Sequence, residues 1–417
     1  MIVIDIFQDN FMPEFLFEHQ FIKSVFEILN KNGIILFNTM ILNKENESRN
    51  LEFISKFRTE YSVNKIRNVE KFNELIIIEN NIIIIFSLFN KNKPMKKIAI
   101  VFVLFAFGCN KSDNSENLNL FYKDEMRNFV IGISQYSKAI NPNFAIIPQN
   151  GIELITNDGE INGNPSTNYL NAIDGHGQED LFYGYDFDDQ ATNAADSDYL
   201  KSYLNKSKDF GKKILVTDYC STPSKMSNSY STNSSLNYIS FAANQRQLNN
   251  IPNFPATITN QNSNIITNLS QAQNFLYLIN TVNYNSKTDF INAVKATNYD
   301  VLITDFYFID GIAFSSSDVN ELKIKANGGK RMVISYISIG EVEDYRYYWN
   351  PSWNTTKPAW IDAVNPNWPG NYKVKYWNTE WKNIIYGNNS SYMKKILDAN
   401  FDGAYLDIID AFEFYEN

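Results

Sequence analysis

Acidic side chains stand at the ends of several short apolar runs beyond residue 170. Three aspartates hold such positions: Asp218, Asp305 and Asp407. Three glutamates extend the set: Glu179, Glu341 and Glu343. A single acidic residue at such a place is commonly a helix cap or a turn residue. Because the carboxyl ends of parallel strands meet on one face of a barrel, we expect the whole set to converge.

Converging carboxylates without a histidine or cysteine cluster fit the hydrolysis of glycosidic bonds. One carboxyl group protonates the leaving oxygen, the other attacks the sugar or activates water, and aromatic rings stack on sugar faces. Aromatic side chains are dense near the end of the chain: Tyr345, Tyr347, Tyr348, Trp349, Trp353, Trp360, Trp368, Trp377 and Trp381. We expect at least half of these rings to pack in the core rather than to contact a ligand.

The composition excludes several other classes of function. The chain has 417 residues and a net charge of −9, with only two cysteines and two histidines. An acidic chain lacks the clustered basic surface that nucleic acid requires. Cys109 and Cys220 cannot build a disulfide framework, nor a zinc site of the usual spacing with the two histidines. We therefore predict no nucleic-acid partner, no metal and no cofactor, and interpret Cys220 as a small core residue.

Strand-like and helix-like segments alternate from about residue 121 to the end of the chain. The predicted strands are 144–148, 180–185, 213–218, 238–242, 275–279, 300–306, 331–337 and 403–408. The predicted helices are 125–140, 197–210, 286–296, 316–326 and 390–400, and the predicted long loops are 222–237 and 249–268. This rhythm favours an α/β fold, a (β/α)₈ TIM barrel. An open doubly wound sheet is the competing architecture.

Three stretches of the chain resemble glycoside hydrolase family 114, the endo-α-1,4-polygalactosaminidase family. They are residues 335–346 (SYISIGEVEDYR), Trp377 with Trp381, and residues 403–411 (GAYLDIIDA). The resemblance spans about residues 121–417 and is closest to the branch with archaeal and Thermotoga-type homologues. It implies a TIM barrel that hydrolyses α-1,4-linked, galactosamine-rich polysaccharide.

The resemblance also implies roles for individual residues. Asp407 matches the strand-end aspartate of the family and is expected to be the nucleophile or base. Glu179 is expected to be the general acid, with a pKa raised by burial and by acidic neighbours. Candidates for binding sugar hydroxyls and amines are Asp305, Tyr336, Glu343, Arg346, Asp218 and Asp410. A structural ion pair is the alternative for each, and His176 is either a sugar contact or a hydrogen-bonded loop residue.

The order of these segments differs from the order usual in the family. There, the strand that ends in the aspartate is followed by a helix and then by a strand resembling 144–150. Here, that helix, 125–140, opens the domain, and Asp407 lies close to the last residue, Asn417. We expect a circularly permuted barrel in which strand 144–148 lies beside strand 403–408. A truncated gene is the alternative.

Residues 95–109 have the pattern of a lipoprotein signal peptide. A basic start at 95–97 precedes an apolar run at 98–107, and Gly108-Cys109 precedes a polar linker at 110–120. The run is too short to cross a membrane, which favours a signal over a span. A buried core segment is the alternative. A chain translated from Met95 would be lipidated at Cys109, anchored to a membrane and located in the bacterial cell envelope.

Residues 1–94 are interpreted as an incomplete Rossmann-like α/β fragment. Predicted strands at 2–7, 34–40 and 75–78 alternate with predicted helices at 14–30 and 48–61. The segments Asp5-Ile6-Phe7, Met12-Pro13 and Phe37-Asn38 resemble the C-terminal part of a spermidine-synthase-like methyltransferase. The sequence has no glycine-rich loop after a first strand, and such a loop is needed to hold a nucleotide-like cofactor. We expect this fragment to be non-functional or a gene-model fusion.

Three functions therefore remain open at this point. The first is an envelope glycosidase acting on amino-sugar polysaccharide. The second is an envelope lipoprotein that binds carbohydrate on the same barrel without cleaving it. The third is a bifunctional cytoplasmic chain that uses the methyltransferase-like segment.

Overall fold

The computed structural model describes residues 2–4, 34–40, 62–67, 73–79 and 122–416. The chain divides into two compact units, residues 1–111 and 112–417. The predicted signal peptide, Cys109, the linker and the helices predicted at 14–30 and 48–61 lie outside the described residues. Within the described part, every helix is too short or too polar to cross a membrane.

The first unit contains a mixed four-stranded sheet. Its strands are β1 (Ile2–Ile4), β2 (Ile34–Met40), β3 (Ser62–Arg67) and β4 (Asn73–Glu79). They are arranged in the order β1-β2-β4-β3, with β1 parallel to β2 and the other two pairings antiparallel. The strands predicted at 34–40 and 75–78 are found. Of the strand predicted at 2–7, residues 2–4 form β1 and residues 5–7 lie outside the described residues. Strand β3 was not predicted.

The second unit is built on parallel strands. They are β5 (Ala145–Pro148), β6 (Gly175–Glu179), β7 (Lys213–Tyr219), β8 (Ile239–Ala243), β9 (Phe275–Tyr277), β10 (Val301–Asp305), β11 (Met332–Ser338) and β15 (Gly403–Asp407). One sheet has the order β5-β15-β11-β10-β9, and the other has the order β6-β7-β8. A bridge between Gln149 and Gly177 joins β5 to β6. Strand β8 contacts β9 without a ladder, so no closed barrel of hydrogen bonds forms in the described residues. The architecture is an α/β fold consistent with a TIM-barrel-like domain.

Helices connect and cover these strands. They are α1 (Tyr122–Ile140), α2 (Thr167–Ala172), α3 (Ala194–Asp209), α4 (Pro223–Ser235), α5 (Lys287–Lys295), α6 (Ser316–Leu322), α7 (Thr379–Ile385), α8 (Tyr392–Asp398) and α9 (Phe412–Glu416). Each predicted helix of this unit is found, with α6 and α8 shorter than predicted. Helices α2, α7 and α9 were not predicted; each is at most about two turns long, which leaves little periodicity to detect.

The prediction of a strand at 180–185 is wrong, because the strand is β6 (Gly175–Glu179) and the following residues form a loop. The sequence Gly-His-Gly-Gln-Glu lacks the β-branched residues that mark a strand. A close approach explains the composition: a Cβ at Gly177 would lie 2.1 Å from the Tyr405 hydroxyl oxygen. His176 therefore lies in a strand and not in a loop.

The prediction of a long loop at 222–237 is also wrong, because residues 223–235 form helix α4. Pro223 occupies the first turn of the helix, where its missing N–H costs nothing. The buried residues Met226, Ser229 and Asn233 recur at helical spacing, although two of them are polar. The loop predicted at 249–268 is found, since these residues form neither helix nor strand.

A small antiparallel sheet extends the second unit between β11 and α7. It consists of β12 (Glu341–Glu343), β13 (Ile361–Val364) and β14 (Asn371–Val374) in the order β12-β14-β13. This sheet was not predicted. Its strand β12 places the side chains of Glu341 and Glu343 beside the carboxyl ends of the parallel strands.

Strand β5 pairs in parallel with β15, with Leu406 opposite Pro148. Helix α1 packs against α8 and α9. The circular-permutation hypothesis requires this adjacency, but the first and last strands of an unpermuted barrel pair in the same way. Permutation therefore stays a prediction.

A fully buried ion pair ties the loop 249–268 to the amino ends of the parallel strands. The Lys325 ammonium lies 2.5 Å from the Asp300 carboxylate, and neither side chain is exposed to solvent. Asn262 donates to both oxygens of Asp300, and the Lys325 ammonium donates to the Asn262 carbonyl. The loop thus has a fixed attachment point although it contains no helix or strand.

Candidate active site

The carboxyl ends of the parallel strands surround a cavity of about 880 Å³. Its lining includes acidic, amide and tyrosine side chains from several strand ends: Gln149, Glu179, Tyr219, Tyr277, Asp305, Tyr336 and Asp407. The short sheet and the adjoining loops add Glu341, Glu343, Arg346 and Asp410. Most of the predicted acidic residues therefore converge on one cavity.

Glu179 and Asp407 face the same amide group. Gln149 Nε2 donates to Glu179 Oε2 at 2.6 Å and to Asp407 Oδ1 at 3.1 Å. The side-chain oxygen of Gln149, Oε1, accepts a hydrogen bond from the Tyr277 hydroxyl at 2.9 Å, which fixes the side-chain amide with its nitrogen towards the carboxylates. The two residues predicted as catalytic are thus held side by side by a third.

The shared nitrogen limits the separation of the two carboxyl groups. Two oxygens bonded to one atom cannot be further apart than the two bond distances taken together. The nearest oxygens of the pair are thus closer than the ~6.5–9.5 Å that separates the carboxyl groups of inverting glycosidases, and this proximity is compatible with the ~5–5.5 Å of retaining ones.

The remaining oxygens of the pair also have hydrogen-bond donors. The Tyr219 hydroxyl donates to Glu179 Oε1. The Tyr336 hydroxyl donates to Asp407 Oδ2 at 2.6 Å, and the Ile408 N–H donates to Asp407 Oδ1 at 2.8 Å. Both carboxyl groups are therefore oriented, and Tyr336 acts through Asp407.

Both carboxyl groups have raised pKa values. Burial and then the nearby charge of Asp407 raise the pKa of Glu179 to about 7. Burial raises the pKa of Asp407 to about 6, although the hydrogen bonds from Tyr336 and Ile408 oppose the shift. Both carboxyl groups therefore stay protonated to a higher pH than free carboxylic acids do, and the charge of Asp407 contributes to the raised pKa of Glu179, as the role of a general acid requires.

Asp305, Glu343 and Arg346 form an ion-pair cluster on the cavity wall. Arg346 makes two hydrogen bonds to Asp305, at 2.8 and 2.7 Å, and its Nε donates to Glu343 at 2.7 Å. The structural ion pair, kept above as an alternative to ligand binding, is therefore present. Since all three residues line the cavity, they also shape the surface that a ligand would meet.

Asp218 does not line the cavity. Its carboxylate is fully buried and accepts hydrogen bonds from the backbone N–H groups of Phe182 and Tyr183 and from Ser229 and Asn233 of α4. A carboxylate with its acceptor sites filled in this way has a structural role. The structure therefore gives no support to the predicted contact between Asp218 and sugar.

His176 and Cys220 also lie away from the cavity. The His176 ring is fully buried, with Nε2 3.0 Å from the Asn150 carbonyl oxygen, and burial lowers its pKa to about 4. Cys220 packs with Met226 and Ala242, and burial raises the pKa of its thiol to about 12. The interpretation of Cys220 as a core residue fits this environment. Within the described residues, no group of three or more His, Cys, Asp or Glu side chains could hold a metal ion.

Three of the nine aromatic residues singled out in the sequence line the cavity, namely Tyr345, Tyr347 and Trp368. All three are exposed. The other six pack together or against neighbouring rings, as Trp353 does against Trp360 and Trp360 does against Trp381. This division agrees with the expectation that at least half of the rings only pack.

Several cavity residues were not among the predicted site residues, including Gln149, Tyr219, Tyr277 and Arg246. The signal for Gln149 was present, since Pro148-Gln149-Asn150-Gly151 is a polar segment directly after an apolar strand. A pattern defined by carboxylates alone does not include this amide. Arg246 stacks on the Tyr219 ring at 3.9 Å and pairs with Asp180 at 3.0 Å, an arrangement that only the fold brings together.

We expect Gln149→Leu to raise the pKa of both carboxyl groups, because the lost amide N–H stabilises their charged forms. A hydrogen bond to a charged group contributes about 1.5–3 kcal/mol, so the acidic limb of a pH–rate profile should move up by about one to two pH units. The pH dependence of kcat/KM for sugar hydrolysis measures this shift. Gln247→Leu changes another cavity-lining glutamine, for which no hydrogen bond to either carboxylate is found in the described residues, and should leave the profile in place. An unshifted limb in Gln149→Leu would contradict the bridging role.

Residues 255–417 match the family model of glycoside-hydrolase family GH114. The matched range includes Asp407, Asp410 and the Arg346 cluster, whereas Glu179 and Gln149 precede it. The match supports glycoside hydrolase activity in general and agrees with the resemblance found in the sequence.

Relatives from three prokaryotes are similar to parts of the chain. An uncharacterized protein of Thermotoga maritima is 39% identical over 122 residues, which cover 29% of this chain and 36% of the relative. Uncharacterized protein MJ1477 of Methanocaldococcus jannaschii is 37% identical over 155 residues, covering 37% and 42%. An uncharacterized protein of Deinococcus radiodurans is 32% identical over 127 residues, covering 30% and 38%. The chain thus spans well under half the length of these relatives.

Among solved structures, the crystal structure of Aspergillus fumigatus Ega3 in complex with galactosamine matches with 20% sequence identity. The match covers 28% of this chain and 39% of Ega3, with a TM-score of 0.20.

Proposed function

We propose that this protein is a retaining glycoside hydrolase that cleaves α-1,4-linked, galactosamine-rich polysaccharide, with Glu179 as general acid and Asp407 as nucleophile. The observation that carries the proposal is the pairing of these two carboxyl groups on one Gln149 amide inside a large cavity. The family match over residues 255–417 supports the reaction class. The proposal takes the eight parallel strands as one TIM barrel, with its active site at their carboxyl ends.

The geometry supports a two-step reaction. Glu179 gives its proton to the glycosidic oxygen while Asp407 attacks the anomeric carbon, so the leaving sugar departs as an alcohol and a glycosyl ester of Asp407 forms. Glu179, now ionised, then takes a proton from water, and the resulting hydroxide displaces Asp407 from the anomeric carbon. The short separation of the pair supports this route over direct attack by water.

The charge of the cavity supports an amino sugar. Besides Glu179, five carboxyl groups line it, namely Asp305, Glu341, Glu343, Asp407 and Asp410, whereas its arginines are Arg246 and Arg346. Both arginines are already paired with aspartates. An excess of acidic groups attracts cationic ligands, and unacetylated galactosamine units carry ammonium groups.

The proposal is tested by the release of reducing ends from a de-N-acetylated galactosamine polymer, with chain-length analysis of the products. We expect shortened chains whose first products keep the anomeric configuration of the substrate. Asp407→Asn serves as the matched inactive protein. Binding of the polymer without release of reducing ends by the wild-type protein would replace the hydrolase with the carbohydrate-binding alternative.

Inverted configuration of the first products would keep the hydrolase and remove the nucleophile role of Asp407. Because Glu179 lies outside the family match, its assignment depends on the geometry alone. Equal activity of the wild type, Asp407→Asn and Glu179→Gln would refute the site.

We also propose that the chain acts in the bacterial cell envelope, anchored by a lipid on Cys109. The support is the sequence pattern of residues 95–109. Mass spectrometry of the mature N-terminus tests this proposal. A lipid-modified Cys109 at the first position is expected, and a mature chain that retains residues 1–94 would contradict it.

We expect a bell-shaped pH profile with a narrow maximum between about pH 6 and pH 7. As the pH rises through about 6, Asp407 loses its proton and becomes a nucleophile, so kcat/KM increases. As the pH rises through about 7, Glu179 loses the proton that the leaving group needs, so kcat/KM decreases. Hydrolysis rates of the wild type across pH 4–9 measure both limbs. On each limb, kcat/KM should change by about one log unit per pH unit. A plateau above pH 8 would exclude Glu179 as the acid.

A further inference from the structure

Asp410 lies three residues beyond Asp407 and lines the same cavity. It belongs to the single 3₁₀ turn of residues 409–411 that follows β15. The strand end and the turn therefore present two carboxyl groups to one space. The sequence suggested Asp410 only as one of several contacts for hydroxyls or amines.

The other carboxylates of the cavity have protein partners. Asp305 and Glu343 share Arg346, and Glu341 pairs with Lys373 at 2.7 Å and accepts from Asn365 and Asn371. Glu179 and Asp407 accept from tyrosine hydroxyls and from Gln149. These acceptors are engaged before any ligand arrives.

Asp410 differs from them. Within residues 122–416, no other residue is found to donate a hydrogen bond to its carboxylate. Lys373 is the cation that acts on it electrostatically, but the Lys373 ammonium is bonded to Glu341. Among the cavity carboxylates, Asp410 is therefore the one that accepts no hydrogen bond from another described residue, so its oxygens can accept from a cationic ligand.

The surroundings of Asp410 disfavour its negative charge unless a cation is nearby. Burial, followed by the charges of Asp407 and Glu413, raises the pKa of Asp410 to about 7. A cationic group beside this carboxylate would offset the repulsion from its acidic neighbours. A neutral group of similar size would not.

We propose that Asp410 forms an ammonium-binding subsite next to the catalytic pair and selects sugar units with a free 2-amino group over N-acetylated ones. This inference deepens the proposed function and rests on it. The ammonium group donates to the Asp410 carboxylate, whereas an acetamido group is uncharged and adds the bulk of an acetyl group at the same place. Asp410 acts on binding and positioning, and it takes no part in proton transfer or bond cleavage.

The test compares kcat/KM for galactosamine oligomers with kcat/KM for the same oligomers after N-acetylation. The wild type should prefer the free amine. Asp410→Asn keeps the size of the side chain and removes its charge, and should lower kcat/KM for the free amine by about 10- to 100-fold, as expected for a lost hydrogen bond to a charged group. Its kcat/KM for the acetylated oligomers should change by less than about threefold, which is the effect of losing one weak, uncharged contact.

Asp209→Asn is the matched control. It makes the same change of side chain at an exposed residue at the end of α3 that does not line the main cavity. It should keep the preference of the wild type. Equal losses of Asp410→Asn on both kinds of oligomer would overturn the subsite, because they indicate a general structural defect.

The outcomes separate this inference from the proposed function. If the wild type is active and Asp410→Asn still prefers the free amine, the proposed hydrolase activity stands and the subsite is rejected. If the wild type cleaves neither kind of oligomer, the hydrolase fails, and calorimetric titration with galactosamine and N-acetylgalactosamine decides the subsite. The subsite is supported if Asp410→Asn binds galactosamine more weakly than the wild type does and binds N-acetylgalactosamine equally well. It is overturned if the wild type and Asp410→Asn bind galactosamine equally, or if neither binds it.

Discussion

Asp407→Asn is expected to lower kcat/KM for galactosamine polymer by about 10⁴-fold or more, because the amide cannot form the glycosyl ester. The Tyr336 hydroxyl and the Ile408 N–H both donate to the native carboxylate, and an Asn oxygen can accept from only one side of the group. The fold should persist, since the substitution keeps the shape of the side chain. Initial rates of reducing-end release, with unfolding temperature as the check on folding, measure the effect.

Glu179→Gln is expected to lose about 10²- to 10⁴-fold, the usual contribution of general acid catalysis. The loss should depend on the leaving group. An activated aryl glycoside departs without a proton, so the first step of Glu179→Gln should approach the wild-type rate on such a substrate. Asp407→Asn should remain inactive on it, because the nucleophile is missing whatever the leaving group.

This contrast assigns the two roles separately. Asp310→Asn changes an exposed aspartate outside the cavity lining and should match the wild type on both substrates. If the aryl substrate restores the activity of Asp407→Asn and not that of Glu179→Gln, then Asp407 is the acid and Glu179 is the nucleophile. If it restores neither, Glu179 does not act as the acid.

The carboxyl-end rule explains why much of the site was predictable. Parallel strands place their last residues on one face, so Asp305 and Asp407 could be grouped before any contact was known. Glu179 joined them through the family resemblance, because the strand that contains it was placed five residues too late and so appeared to begin after Glu179. The error arises because this strand contains glycine where a strand usually has a β-branched residue. Gly177 is needed there, since a side chain would collide with the Tyr405 hydroxyl from a strand more than two hundred residues away.

Asp218 shows where the same rule fails. It stands near the end of β7 as Asp407 stands at the end of β15, yet its acceptor sites are filled by Ser229 and Asn233 of α4 and by a neighbouring loop. Whether a strand-end carboxylate faces a ligand depends on what packs beside it. The serine- and asparagine-rich segment at 222–237 hid this partner, because its composition is typical of a loop.

Gln149 shows a different limit. Its importance comes from two carboxylates and one hydroxyl contributed by three other strands, β6, β15 and β9. A local pattern can mark a polar residue after a strand, but it cannot state which acceptors the amide will reach. The function of such a residue emerges only when the strands are assembled.

Lys325→Met is expected to lower the free energy of unfolding by about 3–5 kcal/mol, because it leaves the Asp300 carboxylate buried without its counter-ion. Asn262 and the Gln273 N–H still donate to Asp300, but neither is charged. The same change should release the loop 249–268 from its attachment through Asn262. Urea unfolding of the full chain, followed by tryptophan fluorescence, measures the free energy.

Two further variants separate the buried charge from simple loss of packing. Lys325→Met combined with Asp300→Asn removes both charges and should recover most of the lost stability, since replacing a whole buried pair is often neutral. Lys295→Met removes an ammonium from the partly exposed pair with Glu321 and should cost less than about 1 kcal/mol. If the double variant were as unstable as Lys325→Met, the cost would come from the packing of the lysine stem. Recovery instead shows that the buried Asp300 carboxylate, without the Lys325 ammonium in contact with it, is what destabilises the single variant.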